Sequence, residues 1–388
     1  MKKAIKKALC LLLVLSVVLT CTSVLAACLP ETETPQNEPE MVSFTDGMGR
    51  NITLDVANVE KVVCVGAGAL RLYSYVGDMS KLCAVEEIEG SRTSGRISLR
   101  AYQIANEELF ASLINEGKTA GAGGPQAQEL KTETLIKLKP DVVFSCLTMS
   151  VEDIEAAETA LGCPIVTLKY GQKKAFSNEL IASLEMIGKV CKTGTRVKEI
   201  TDYIAYLKAD ILSLTEGKSS KKVYLACNSN WGVKGFLSTA KNYPIFTISG
   251  INNVMDVASV VLDSDGFADM EAVIASDADA IILDAGGLQT FKNAYLEDGS
   301  LLPSQLSAMS AFANKEVYLM MPNNAYDANV EMYFVNAYYA MSVAFDVDID
   351  IEAKTKEITK KFVGKELYSD LMISGGYRKM NLPDEWAD

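Results

Sequence analysis

Eight short apolar runs divide the chain between residues 61 and 324, and each is followed by a stretch of helical character. They are KVVCVGAG (61–68), KLCAVEE (81–87), DVVFSC (141–146), PIVTLKYG (164–171), KVYLACNSN (222–230), YPIFTISG (243–250), DAIILDAGG (279–287) and EVYLMMPNN (316–324). Continuous β-rich runs that alternate with helices require parallel sheets covered on both faces. VSFTDGMGRNITL (42–54) alternates around a glycine turn and reads as a hairpin. The fold class is therefore α/β. With 388 residues, 49% of them hydrophobic, the chain is long enough for two such domains.

The second half echoes the first. Glu133, Ile136, Asp141, Val143 and Phe144 can be laid over Glu271, Ile274, Asp279, Ile281 and Ile282 at a constant offset of 138 residues. Each copy reads as helix, turn and strand, which argues for two similar lobes. Between them, Leu180, Leu184, Ile187, Val197, Ile200, Ile204, Leu207, Ile211 and Leu214 recur at helical spacing. Thr193-Gly194-Thr195 breaks that run. A helix over 195–216 spans roughly 33 Å, the length of a small domain. The expected organisation is an N-terminal lobe (42–175), a helical connector (176–216) and a C-terminal lobe (217–388). The two halves would be joined by one stiff rod that permits modest rocking but resists wide opening, the alternative being two ordinary packed helices inside one domain.

The N-terminus reads as an address. Lys2, Lys3, Lys6 and Lys7 precede an apolar run that ends near Leu25, the layout of a secretory signal peptide over residues 1–27. Leu25-Ala26-Ala27-Cys28 resembles the bacterial lipobox, which implies a lipidated Cys28. Acyl chains anchor at roughly 0.8 kcal/mol per buried methylene. Residues 28–41, rich in proline and glutamate, form a solvated tether. The expected location is the outer face of the cell membrane, lipid-anchored.

Composition removes several classes of function. Without the signal the body carries 33 basic against 50 acidic side chains, a net −17 that repels phosphate backbones, so nucleic acid is not a partner. The chain has no histidine. That excludes the Ser-His-Asp triad, imidazole-ligated zinc and imidazole-ligated haem. Six cysteines of the body (Cys64, Cys83, Cys146, Cys163, Cys191, Cys227) lie mostly in apolar runs with no C-x-x-C spacing, so buried free thiols are expected. GAGALR (66–71) follows a strand, yet Arg71 stands where a dinucleotide fingerprint needs its third glycine. No G-x-S-x-G elbow or P-loop is present. The expectation is no catalysis, no resident cofactor and no metal site.

In order, the chain shows a lipobox, the FTDGMGRNITL opening, VVCVGAGALRL, E-x-x-I-x-x-L-K-P-D-V-V-F, the long connector, E-x-x-I-x-x-x-x-D-x-I-I, and a closing YFVNAYYAMSVAF followed by DIDIEAKTKEITKKFVG. This series resembles the ABC-transporter substrate-binding lipoproteins of the iron-siderophore, haem and cobalamin class, over residues 42–370. The resemblance implies two Rossmann-like lobes with mainly parallel sheets, joined by one long helix, with the ligand in the cleft between them. It also implies a membrane permease and an ATPase as partners. Family members present one glutamate per lobe to arginines of the permease, and the matching positions here are Glu133 and Glu271.

In doubly wound sheets, ligands sit beyond the carboxyl ends of the strands. The loop 86–103 carries Arg92, Arg96, Arg100 and Tyr102, and guanidinium forks suit carboxylates, catecholates and oxyanions. Alternatively those arginines balance Glu86, Glu87 and Glu89. Trp231 stands at a strand end and could stack on a flat ligand or pack on its own lobe. Tyr170 and Tyr326 are candidates of the same kind. The expected function is capture of an iron(III) chelate by a monomeric receptor and its delivery to the permease. The alternatives are the same role for a corrinoid or for molybdate or tungstate, and, in another class, an extracytoplasmic sensor or enzyme.

Overall fold

A computed structural model describes residues 38–90, 99–124, 130–229, 232, 234–382 and 384–386. The signal, Cys28, Arg92, Arg96 and Trp231 lie outside them. The body opens with the expected hairpin, β1 (Met41–Thr45) paired antiparallel with β2 (Asn51–Asp55). The N-terminal lobe follows: β3 (Val62–Val65), helix α1 (Ala69–Val76), β4 (Leu82–Ala84), α2 (Thr132–Leu138), β5 (Val142–Ser145) and β6 (Ile165–Thr167). Two helices come next, α3 (Asn178–Cys191) and α4 (Gly194–Thr215), separated at Lys192, whose left-handed backbone ends the first. The C-terminal lobe holds β7 (Lys222–Ala226), β8 (Asn252–Asn253), α5 (Met270–Ser276), β9 (Ala280–Asp284), β10 (Val317–Met320), α6 (Val330–Phe345), α7 (Ile351–Val363) and β11 (Arg378–Lys379).

The sheets are separate and share a topology. The N-terminal sheet runs β4-β3-β5-β6 and the C-terminal sheet β8-β7-β9-β10-β11. In chain order both read 2-1-3-4, the second adding one antiparallel edge strand. Each reverses its winding beside its first strand, which opens a crevice at the carboxyl ends of β3 and β5, and of β7 and β9. The halves also match in detail. Leu135 and Val273 are the buried anchors of α2 and α5, and both helices stop on a left-handed residue, Lys139 and Asp277. The run 243–250 is not a strand. It is a short helix, Pro244–Ser249, because Pro244 supplies a preset first turn and Gly250 a left-handed stop, while Ile245 and Phe246 face the core.

The connector is not a free-standing rod. One face of α4 (Val197, Ile200, Ile204, Leu207 and Ile211) belongs to a core that also takes in Val62, Cys64 and Phe144 of one sheet and Val223, Leu225 and Ile282 of the other. Alternate residues of the same strands face outward into two further cores, one within the N-terminal lobe and one mainly of the C-terminal lobe that also takes in Ala101 and Ile104. Helix α6, buried at all but two of its residues (Ser342 and Phe345), fills the shared core. Nor is α4 the sole link. Between β10 and β11 the chain leaves the C-terminal lobe, and α7 packs on α1. The Tyr75 and Phe362 rings meet there at 4.9 Å. Arg196 ties three helices together, donating to Tyr75 O at 2.9 Å and to Lys361 O at 2.7 Å. Three passages of chain and a common core oppose wide opening.

Candidate functional site

The site begins at the turn after β3. Gly66 has φ 84°, and a Cβ there would lie 2.7 Å from Leu147 N, so only glycine allows the turns after β3 and β5 to touch. Gly66 N donates to Glu86 Oε1 at 3.1 Å, which draws the end of β4 into the same crevice. Tyr170, after β6, donates its hydroxyl to Gly68 O at 3.0 Å. Four strand ends of the N-terminal lobe thus converge on residues 66–68.

From this turn α1 projects Arg71, a fully buried side chain. It reaches the loop between β10 and α6. Its guanidinium donates to Ala325 O at 2.5 Å, Tyr326 O at 3.0 Å, Ala328 O at 3.0 Å and Asn329 Oδ1 at 2.7 Å. Tyr326 and Asp327 are consecutive left-handed residues, at φ 56° and 65°. Such a pair is strained unless its surroundings fix it, and Arg71 takes up carbonyls on both sides. The loop is held open-side-in: Tyr326 donates to Glu86 Oε2 at 2.7 Å and accepts from Gly124 N at 3.1 Å. Lys174 pairs with Asp327 at 3.0 Å. The carboxyl ends of the two sheets therefore meet face to face.

Beside this clamp lies a second buried group. Glu89 accepts from Arg100 at 2.9 Å and from Tyr102 Oη at 2.7 Å, and Arg100 also donates to Ile88 O. The Arg71 guanidinium stacks 5.0 Å from the Tyr102 ring, and that of Arg100 lies 5.9 Å from the Tyr326 ring. Burial pushes the Glu86 and Glu89 carboxyls above their ordinary values, and Arg100 and the phenol hydrogen bonds pull the other way. Burial also raises the Tyr102 and Tyr170 phenols, so both stay protonated donors.

Sequence reasoning placed Arg100, Tyr102, Tyr170 and Tyr326 at the crevice, and the structure brings all four together. Their setting differs from the expected open loop. Arg100 is 7% exposed and Tyr102 is 0% exposed, both committed to Glu89, because an acid buried by the loop's own fold needs them more than solvent does. Tyr170 is buried and Tyr326 half-buried. Arg71 was not among the candidates, and Glu86 and Glu89 entered only as acids for the loop's arginines to balance, which Arg100 does for Glu89. The signal for Arg71 was a charge directly after an apolar run, in GAGALR, and for Glu86 a charge at the end of one, in KLCAVEE.

The C-terminal crevice has its own charged floor, also missed. Asp284 ends β9 at 2% exposure and accepts from Ser229 N at 2.9 Å, Ser229 Oγ at 2.7 Å and Gly286 N at 2.8 Å. Burial raises its pKa against those bonds. A Cβ at Gly287 would lie 2.6 Å from Cys227 O, the counterpart of the close approach at Gly66. Among the described residues the six cysteines are free, and no three Cys, Asp or Glu side chains are grouped to hold a metal. Glu133 and Glu271 are exposed, each in the first turn of its helix. None of the described helices is long and apolar enough to cross a membrane.

Residues 73–323 match the family model for periplasmic binding proteins. No curated protein sequence matches the chain. Among solved structures, a periplasmic solute binding protein from Veillonella parvula superposes with a TM-score of 0.60 at 17% identity, covering 86% of this chain and 96% of its own. The TroA-like periplasmic binding protein FepB of the same organism gives 0.57 at 19% identity, covering 88% and 100%. The molybdate periplasmic binding protein MolA of Haemophilus influenzae, bound to molybdate, gives 0.56 at 16% identity, covering 84% and 98%.

Proposed function

This chain belongs to the periplasmic binding protein family, and from that premise we propose that it is the receptor of an ABC importer that captures an iron(III) chelate of siderophore type and delivers it to the membrane permease. One observation carries the reading. The Arg71 and Glu86 contacts to residues 325–329 set the strand ends of the two sheets against each other, so the loops that bind ligand in doubly wound folds line one crevice. The half-buried Tyr326 borders the crevice, Arg100 is spent on Glu89, and the donors we assign to an anionic chelate are Arg92 and Arg96 of the sequence pattern. Trp231, after β7, would stack on its ring systems. The receptor acts as a monomer, anchored outside the membrane through Cys28, with no catalytic step. Glu133 and Glu271 dock one lobe each on the permease.

The full-length protein is titrated by tryptophan fluorescence with ferric siderophores, haem, cobalamin and molybdate. A saturable one-to-one response to a ferric siderophore is expected. A response to cobalamin or molybdate alone transfers the receptor role to that ligand. Silence toward all four removes the importer reading.

A further inference from the structure

Residues 131–141 and 269–279 are two copies of one structural unit, KTETLIKLKPD and DMEAVIASDAD. Both place a glutamate in the first turn, a buried aliphatic two residues on and an isoleucine after it. Both close on a left-handed residue and then an aspartate that accepts a backbone N–H from the neighbouring strand. Against this shared frame the charges invert. The helix N-cap is Lys131 in one copy and Asp269 in the other, and the left-handed stop is Lys139 in one and Asp277 in the other. Lys137 faces Ala275 across the comparison. The first unit carries a side-chain charge of +1 and the second −4. All of these charged residues are exposed.

The fold does not demand this contrast. The same left-handed position accepts lysine in one lobe and aspartate in the other. Asp269 has a local duty, capping Glu271 N and Ala272 N, and Asp277 Oδ1 lies 3.4 Å from Ser310 N. Among the described residues no side-chain cap bond is made by Lys131. Nearby charges do not cancel the difference. Lys61 and Lys222 add the same sign to each unit, while Glu60 pairs with Lys81 and Lys221 with Asp346.

We propose that the two docking faces are electrostatically unlike and fit a permease whose two halves differ. The half that meets the C-terminal lobe is strongly basic, and the half that meets the N-terminal lobe sets acidic groups around its anchoring base. Docking then has one allowed orientation, because the reversed complex opposes like charges on both sides. This rests on the docking role of Glu133 and Glu271.

The test uses the full-length protein in its host's membranes, with photo-reactive benzoylphenylalanine at position 136 or 274. Different permease surfaces are expected to be captured, the one from 274 rich in Lys and Arg. Asp277→Lys should cut that crosslink about tenfold at ~0.01 M salt, where the Debye length is ~30 Å, and much less at physiological salt. Lys131→Asp with Lys139→Asp should cut the crosslink from 136. Both copies already host the other's residue at the left-handed stop, so these variants should fold, and circular dichroism checks it. Capture of the same segment of two identical subunits from both positions would overturn the asymmetry and leave docking standing. Absence of any permease crosslink from either position overturns the docking reading and this inference together.

Discussion

Asp141 and Asp279 hold the same post in the two lobes. Asp141 Oδ2 accepts from Lys61 N at 2.8 Å and Asp279 Oδ2 from Lys222 N at 2.7 Å. Each aspartate stands one residue before an inner strand of its sheet, β5 or β9, and fastens the start of the strand paired beside it, β3 or β7. Each backbone N–H returns the bond, to Lys61 O and Lys222 O, both at 2.8 Å. One carboxylate per lobe thus sets the register between the two strands that flank the crevice.

Asp279→Ala should therefore cost about 1–2 kcal/mol for its lost backbone hydrogen bond at a partly solvated position, and Asp141→Ala somewhat more, because Asp141 Oδ2 also accepts from Glu60 N at 2.8 Å. Urea unfolding measures both. A large loss at one position and none at the other would break the equivalence.

Arg71→Met should be far more damaging. It strands the buried Ala328 carbonyl, the part-buried carbonyls of Ala325 and Tyr326, and the Asn329 side-chain oxygen, and a loss of about 3–5 kcal/mol is expected. Tyr326→Phe, which keeps the ring and loses the bonds to Glu86 and from Gly124 N, should cost about 1–3 kcal/mol. In Arg71→Met, hydrogen exchange should speed up at residues 325–329 ahead of the rest of the lobe. Uniform acceleration would show that the arginine supports the whole core rather than this loop.

Glu86 gives a pH dependence. Its folded pKa lies above the unfolded one, so the native state binds the proton more tightly. The group's contribution is complete below the unfolded value and is lost as pH rises toward the folded one. Glu86→Gln keeps the shape without the charge. Its thermal midpoint should fall less steeply than that of the parent as pH rises above the ordinary glutamate range. An equal slope in the two proteins would assign the effect to other groups.

A core common to both lobes should melt as one. Calorimetry is expected to give a single transition with matching calorimetric and van't Hoff enthalpies. Ile200→Ala, on the buried face of α4, should lower it by about 2–5 kcal/mol without splitting it. Two resolved transitions would show that the lobes are energetically separate.

Much of the architecture was legible because it rests on local pattern. Val62–Val65 and Ala280–Asp284 could only be buried strands, and the period of Val197, Ile200 and Ile204 could only be a helix. The echo at Glu133 and Glu271 was readable because the two copies keep the same spacing. The run 243–250 misled because a six-residue helix buried on one side has the same composition as a strand, and only the placement of Pro244 and Gly250 separates them. At the site, Arg100, Tyr102, Tyr170 and Tyr326 were readable as polar groups at strand ends. The Arg100–Glu89 pair was readable as the alternative in which the loop's arginines balance its acids, whereas the role of Arg71 was not, since a charge at the edge of an apolar run looks like the end of a strand until its partners are located.

The sequence by itself determined the two-lobe α/β plan, the extracytoplasmic address and the absence of imidazole chemistry, because these follow from residue type and periodicity along the chain. Only the tertiary structure decided that α4 is absorbed into a common core and that α7 crosses back onto the first lobe. It alone decided that Arg71 grips a loop some 250 residues away. Those contacts join groups with no local relation, and burial and hydrogen-bond geometry exist only once the chain has closed on itself.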